Sequence, residues 1–188
     1  MTRKEKQWCA VNILSHSRHD WMNKLQLIKG NLALRKYDRV SAIIDEIVIE
    51  AQNESNLCNL KMPDLAALFM TCNWESHRFS LEYEVVGDII NLEHYDNQMT
   101  SLCTAFFDLL DQSAEQNHDN HLSILVEPDI EKDEIRFIFD FNGIITNTER
   151  LSLWLDKQKE RQDKVFTTYE LTTYELNVMV TLHHVKGV

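Results

Sequence analysis

The feature that most constrains this chain is a proline-free run from about Gln7 to Arg35 in which Leu14, Trp21, Leu25, Ile28 and Leu32 return at helical spacing. At 100° per residue these five side chains fall within one narrow stripe, which predicts a single long amphipathic helix. Tyr37-Asp38 supplies a break and an N-cap, after which Val40, Ile43, Ile44, Ile47, Val48 and Ala51 form a second apolar stripe. The pattern predicts a helical hairpin over residues 1–60. A single layer of roughly 60 residues buries too little apolar surface to stand alone. The simplest completion is a homodimer whose two hairpins make a four-helix bundle.

After Asn59-Leu60-Lys61-Met62-Pro63 the periodicity changes. Pro63 suits the first turn of a new helix reaching about Phe79, and Leu81 to Val86 alternates as a strand does. A helix from about Tyr95 to Gln116 follows, then strands His121 to Glu127 and Glu134 to Asp140. Thr148 to Arg161 reads as a helix, with Val165 to Leu171 and Leu176 to His183 as the last strands. The mixture predicts an α/β two-layer sandwich over residues 61–188, and hence an α+β chain of two domains.

Charge divides the same way. Residues 1–39 carry nine Lys/Arg against three acids, a net of +6 that leaves -17 for the rest of a chain whose total is -11. The acidic body argues against nucleic acid as a partner, because a duplex would repel most of this surface. The basic residues Lys24, Lys29, Arg35 and Lys36 flank the first apolar stripe, and Asp45, Glu46, Glu50 and Glu54 decorate the second helix, which suits salt bridges along the hairpin. No basic-then-apolar leader is present and no apolar run approaches the roughly 20 residues that span a bilayer, so the expectation is a cytoplasmic protein with no membrane attachment. Cys9, Cys58, Cys72 and Cys103 lie far apart with no Cys-x-x-Cys pair, the pattern of reduced thiols rather than a zinc site or disulfide framework.

The first helix also carries chemistry. With His19 set at zero, Asn23, Gln26 and Gly30 fall within about 40° of it, opposite the apolar stripe, and Asn12, Ser15 and His16 extend the face. Gly30 is informative there, since a mid-helix glycine costs roughly 1 kcal/mol relative to alanine, and its placement suggests close approach of another molecule. An exposed histidine can be a solvated surface residue, a metal ligand or a nucleophile. A metal would find His16 at i-3 but no third ligand. Neutral imidazole is a competent nucleophile toward an aspartyl phosphate, and phosphoryl transfer depends on in-line positioning and charge neutralisation that a smooth helix face can offer to a partner bringing its own magnesium. Asp20 is placed to orient the imidazole, with Asn23 and Gln26 able to hydrogen-bond the partner or the transferred group.

The run Arg18-His19-Asp20-Trp21-Met22-Asn23-Lys24-Leu25-Gln26-Leu27-Ile28-Lys29-Gly30-Asn31-Leu32 resembles the phosphoacceptor helix of the sporulation initiation phosphotransferase B family of endospore-forming bacilli. It is also similar, more loosely, to the histidine box of sensor kinases, where an acid follows the histidine and Asn stands four residues on. Tyr37-Asp38-Arg39-Val40, Leu81-Glu82-Tyr83-Glu84-Val85 and Asn120-His121-Leu122 continue the likeness in order. The resemblance implies a homodimeric four-helix bundle with a kinase-like C-terminal domain, His19 as phosphoacceptor aided by Asp20 and Asn23, and a regulator-binding face of His16, Arg18, Asn23, Gln26 and Gly30. It implies two response-regulator partners, a single-domain donor and a transcription-factor acceptor that commits cells to sporulation. No intrinsic cofactor is expected, Mg2+ coming with the regulator. Only 18 residues precede His19, so a longer first helix in the family would be trimmed here.

An ATP-dependent sensor kinase on the same bundle needs an asparagine-bearing helix for magnesium and glycine-rich turns at the phosphates. Here the helix reads Leu109-Leu110-Asp111-Gln112-Ser113-Ala114, the glycine turn is reduced to Asp140-Phe141-Asn142-Gly143-Ile144, and the chain holds four glycines in all. The C-terminal domain is therefore expected to resemble a histidine-kinase ATPase domain without a nucleotide site, with Asp140, Asn142 and Gly143 forming a strand-end turn. The competing readings are an ATP-using histidine kinase and a non-catalytic dimer that sequesters a response regulator. His118-Asp119-Asn120-His121 reads as a solvated turn, as does His183-His184, and Trp8, Trp21, Trp74 and Trp154 read as packing anchors.

Overall fold

A computed structural model describes residues 9–87, 91–129, 134–160 and 165–183, so Trp8 and His184 lie outside the described residues. The chain divides into two compact units, Met1–Gln52 and Asn53–Val188.

The first unit contains helix α1, Ala10–Ala33, and most of helix α2, Tyr37–Asn59. The turn between them closes on the last carbonyls of α1. Lys36 N donates to Asn31 O at 2.9 Å and Arg35 N to Leu32 O at 3.0 Å, with Arg35 left-handed at φ 56°. The break therefore falls at Leu34 to Lys36, just before the Tyr37-Asp38 pair that the sequence suggests. Asp38 sits inside the first turn of α2, where its carboxylate meets the positive end of the helix dipole, and is not the N-cap. Lys24 of α1 pairs with Glu50 of α2, and Arg39 meets Glu46 at 3.2 Å along α2. Apolar burial is slight. No residue of α1 is buried, Trp21 and Leu25 remain 51% and 53% exposed, and Ile44 and Val48 of α2 are exposed as well.

The second unit is a five-stranded sheet of order β1-β2-β3-β5-β4, with helices on one face. β1 (Ser80–Val85) runs parallel to β2 (His121–Asp129), while β3 (Glu134–Asn142), β5 (Glu175–His183) and β4 (Val165–Leu171) complete it in antiparallel pairs. Period-two alternation sends Ile135, Phe137, Phe139 and Phe141 of β3 inward against α3 (Pro63–Cys72), α4 (Asp96–Ser113) and α5 (Thr148–Lys159). Leu57 and Leu60, at the end of α2, belong to this same core.

Three side chains set the frame. Asp96, at the start of α4, accepts from Asp64 N at 3.1 Å and Leu65 N at 2.9 Å, capping α3 from another element. Asn73 donates to Leu81 O at 2.7 Å and accepts from Leu81 N at 2.8 Å, and Asn56 donates to Val85 O at 3.1 Å, so amides occupy the outer edge of β1. α3 ends at Cys72, well short of the Phe79 that the apolar pattern suggests, and closes in tight turns in which Trp74 N donates to Thr71 O and Glu75 N to Cys72 O, each at 3.0 Å. Among the described residues no helix is long and apolar enough to cross a membrane.

Candidate functional site

α1 has the residues for a long helix: no proline, one glycine and a run of straight-chain side chains. Its 3.6-residue period brings His19, Asn23, Gln26 and Gly30 onto one exposed face, with Arg18 exposed beside them and His16 and Asp20 half-buried. The His19 side chain is 74% exposed.

Two groups approach the ring, both at one nitrogen. Asn23 Nδ2 lies 3.3 Å from His19 Nδ1, and Asp20 Oδ1 lies 3.6 Å from the same atom. Nε2 has no hydrogen-bond partner among the described residues. A ring held at one nitrogen and bare at the other can act as a nucleophile or a proton carrier. Arg18 Nη2 donates to Ser15 Oγ at 3.5 Å, lying back along the helix rather than over His19. Around Gly30 a built Cβ would meet nothing within 4 Å, so packing within the chain does not require glycine there.

The segment from Asp140 to Ile144 is closed against the end of α4 by its own backbone. At the end of α4, Thr146 N and Oγ1 both donate to Ser113 O, at 2.7 and 2.8 Å, and Glu115 N donates to Ile144 O at 2.8 Å. Ala114 and Ile145 form a β-bridge, so the loop after β3 is zipped onto the helix end. Asn120 fills the remaining space. It is 2% exposed, donates to Arg78 O at 2.7 Å and Glu115 O at 2.8 Å, and accepts from Ile144 N at 3.0 Å. A Cβ on Gly143 would stand 2.3 Å from Asn120 Oδ1. The glycine surviving in the Asp140-to-Ile144 turn thus makes room for a side chain of the same chain. Asn142 Nδ2 donates to Asp140 Oδ1 at 3.1 Å, as in an ordinary strand-end turn.

Sequence reasoning missed Asn120, which sits inside a stretch that reads as a solvated turn. Its neighbour His121 does stay near the surface, with Nδ1 3.0 Å from Ser80 Oγ and Nε2 3.4 Å from Glu82. Also unanticipated is His77, nearly buried, with Nδ1 2.8 Å from Asp111 Oδ2 and Nε2 3.9 Å from Glu75, its ring against Phe79 at 4.9 Å. No spacing marks His77, because the carboxylate nearest its ring, that of Asp111, comes from α4, 34 residues on. Of the cysteines, Cys72 and Cys103 are buried and Cys9 and Cys58 exposed. Desolvation pushes the Cys103 thiol far above its ordinary value, leaving it protonated and inert.

The family described as sporulation initiation phospho-transferase B, C-terminal, matches residues 61–183, and the one described as sensor kinase SpoOB-type, alpha-helical domain, matches residues 2–60. Sporulation initiation phosphotransferase B of Bacillus subtilis (strain 168) is 42% identical over 173 residues, spanning 92% of this chain and 88% of that protein. Among solved structures, the histidine kinase AdeS of Acinetobacter baumannii overlaps 88% of this chain and 97% of its own at 10% identity and a TM-score of 0.43. The blue-light-activated histidine kinase EL346 of Erythrobacter litoralis overlaps 95% of this chain and 61% of its own at 8% identity, again with a TM-score of 0.43.

Proposed function

Because the chain belongs to the sporulation initiation phosphotransferase B family, we propose that it acts in the sporulation phosphorelay by accepting a phosphoryl group from the aspartate of one response regulator onto His19 and passing it to the aspartate of a second. The observation that carries this reading is the His19 ring, exposed on α1 with both neighbours gathered at Nδ1.

In this reading Nδ1 keeps the ring proton, directed at the Asp20 carboxylate, with the Asn23 amide turned to present its oxygen. The Nε2 lone pair is then the nucleophile. It attacks phosphorus in line, the N–P bond forming as the P–O bond to the donor's carboxyl breaks, and the donor leaves as a free carboxylate. Asp20 offsets the positive charge that develops on the ring. In the second half a carboxylate oxygen of the acceptor attacks the same phosphorus and the N–P bond breaks, returning neutral imidazole. The regulators bring the Mg2+ that screens the phosphoryl oxygens, and this chain needs no cofactor of its own. His16, Arg18, Gln26 and Gly30 form the face on which a regulator docks.

The exposed stripe of Trp21, Leu25, Ile44 and Val48 supports a homodimer in which two hairpins make a four-helix bundle. The zipped turn around Asn120 supports a second unit that binds no ATP, and the relay would operate in the cytoplasm with its regulators. Incubation with a radiolabelled phospho-regulator tests the central step. Acid-labile label is expected on the native chain and on His16→Gln, and none on His19→Gln. Label retained by His19→Gln would refute the assignment.

A further inference from the structure

Far from His19 in sequence, α5 carries a face that the fold does not use. Arg150, Leu153, Trp154 and Lys157 recur at intervals of three and four residues and line an open groove of about 460 Å³, together with Leu109 of α4 and, at the start of α5, Asn147 and Glu149, so that two cations face one acid there. Leu153 is 58% exposed. Trp154 is held by the core, stacked on Phe106 with ring centroids 6.0 Å apart and planes at 24°, so its groove-facing surface is fixed in place.

The charges beside this apolar strip are unusual for their surroundings. Residues 53–188 hold ten Lys/Arg against 24 acids, and several of the cations are engaged. Arg136 meets Glu127 at 2.6 Å, Arg78 donates to Ala114 O at 2.9 Å, and Lys159 lies 4.2 Å over the Tyr169 ring. Arg150 and Lys157 are exposed and meet no carboxylate among the described residues. They stand two helical turns apart, roughly 10 Å, on either side of Leu153 and Trp154.

We infer that the α4–α5 groove docks an acidic amphipathic helix of a partner protein. Acids seven residues apart on such a helix would meet Arg150 and Lys157, and the apolar residues between them would cover Leu153 and Trp154. A nucleic acid, which extends well past a groove two helical turns long, would confront the acidic remainder of the unit, whereas a single helix about 10 Å across stays within the groove. A small anion would leave Leu153 wet. The assignment does not depend on the role of His19.

The test uses the full-length protein and a fluorescent helical peptide with glutamates seven residues apart around a leucine pair, against the same peptide with lysines. Anisotropy should show saturable binding of the glutamate peptide only, weakened about tenfold in Arg150→Glu/Lys157→Glu and also in Leu153→Ser, with unchanged melting temperatures. His19→Gln should bind the peptide like the native chain. Equal binding of the two peptides, no binding of either, or indifference to these substitutions would overturn the inference. Competition by inorganic triphosphate that needs Arg150 and Lys157 but not Leu153 would assign the groove to a small anion and overturn it equally.

Discussion

The contact between Gly143 and Asn120 can be tested by a double-mutant cycle. Gly143 is not in the left-handed region, so alanine there has no backbone penalty, and its cost comes from the 2.3 Å approach to Asn120 Oδ1 and the 2.9 Å approaches to Asn120 Cβ and Cγ. Relief requires Asn120 to swing away and give up hydrogen bonds to Arg78 O, Glu115 O and Ile144 N, so Gly143→Ala should destabilise the second unit by about 2–3 kcal/mol. Asn120→Ala strands the same three backbone groups and should cost about 3 kcal/mol. In the double variant the Oδ1 and Cγ clashes are gone and only the 2.9 Å approach to Cβ remains. Gly143→Ala should then cost at least about 1 kcal/mol less than in the native background. Urea unfolding followed by tryptophan fluorescence and far-UV circular dichroism measures all four corners. Strict additivity would show that the two residues do not compete for the same space, and the account of the closed turn would fail.

Other expectations follow from single features. Gly30→Ala should stabilise α1 by roughly 1 kcal/mol in thermal unfolding, since the new methyl meets nothing, whereas Gly30→Leu should slow phosphoryl transfer if a regulator approaches there. Arg35→Gly should add about 1 kcal/mol, because Arg35 holds a left-handed conformation that glycine adopts without strain. A thiol reagent should label Cys9 and Cys58 at once and reach Cys72 and Cys103 only on unfolding. Burial raises the Cys103 thiol, so above the ordinary value of 9.0 this thiol ionises only in the unfolded chain; its contribution to stability is complete below about pH 9 and is lost as pH rises past it, a trend that Cys103→Ala should remove.

The elements that local periodicity specifies were legible in the sequence. Ile135, Phe137, Phe139 and Phe141 alternate without interruption, and β3 lies where that alternation requires. Helix arithmetic alone puts His19, Asn23, Gln26 and Gly30 on one face of α1. What could not be read depends on partners distant in sequence. Thr71-Cys72-Asn73-Trp74 continues a helical pattern, yet α3 stops at Cys72, and the Asn73 side chain pairs with the Leu81 backbone of β1. Asn120 stands in a run of polar residues typical of solvated turns, and only the meeting of β3 with the end of α4 encloses it. The approach of Asp20 to Nδ1 is likewise a matter of rotamer, which spacing does not encode.

The asparagines along β1 matter for solubility. An outermost strand with bare amides and carbonyls invites a strand from a neighbouring molecule, and pairing of that kind propagates into fibres. Asn73 and Asn56 occupy the Leu81 N–H and C=O and the Val85 C=O, so a foreign strand would find much of this rim already hydrogen-bonded. Replacing both with alanine would turn a sealed margin into a sticky one, and turbidity on mild warming would register the change.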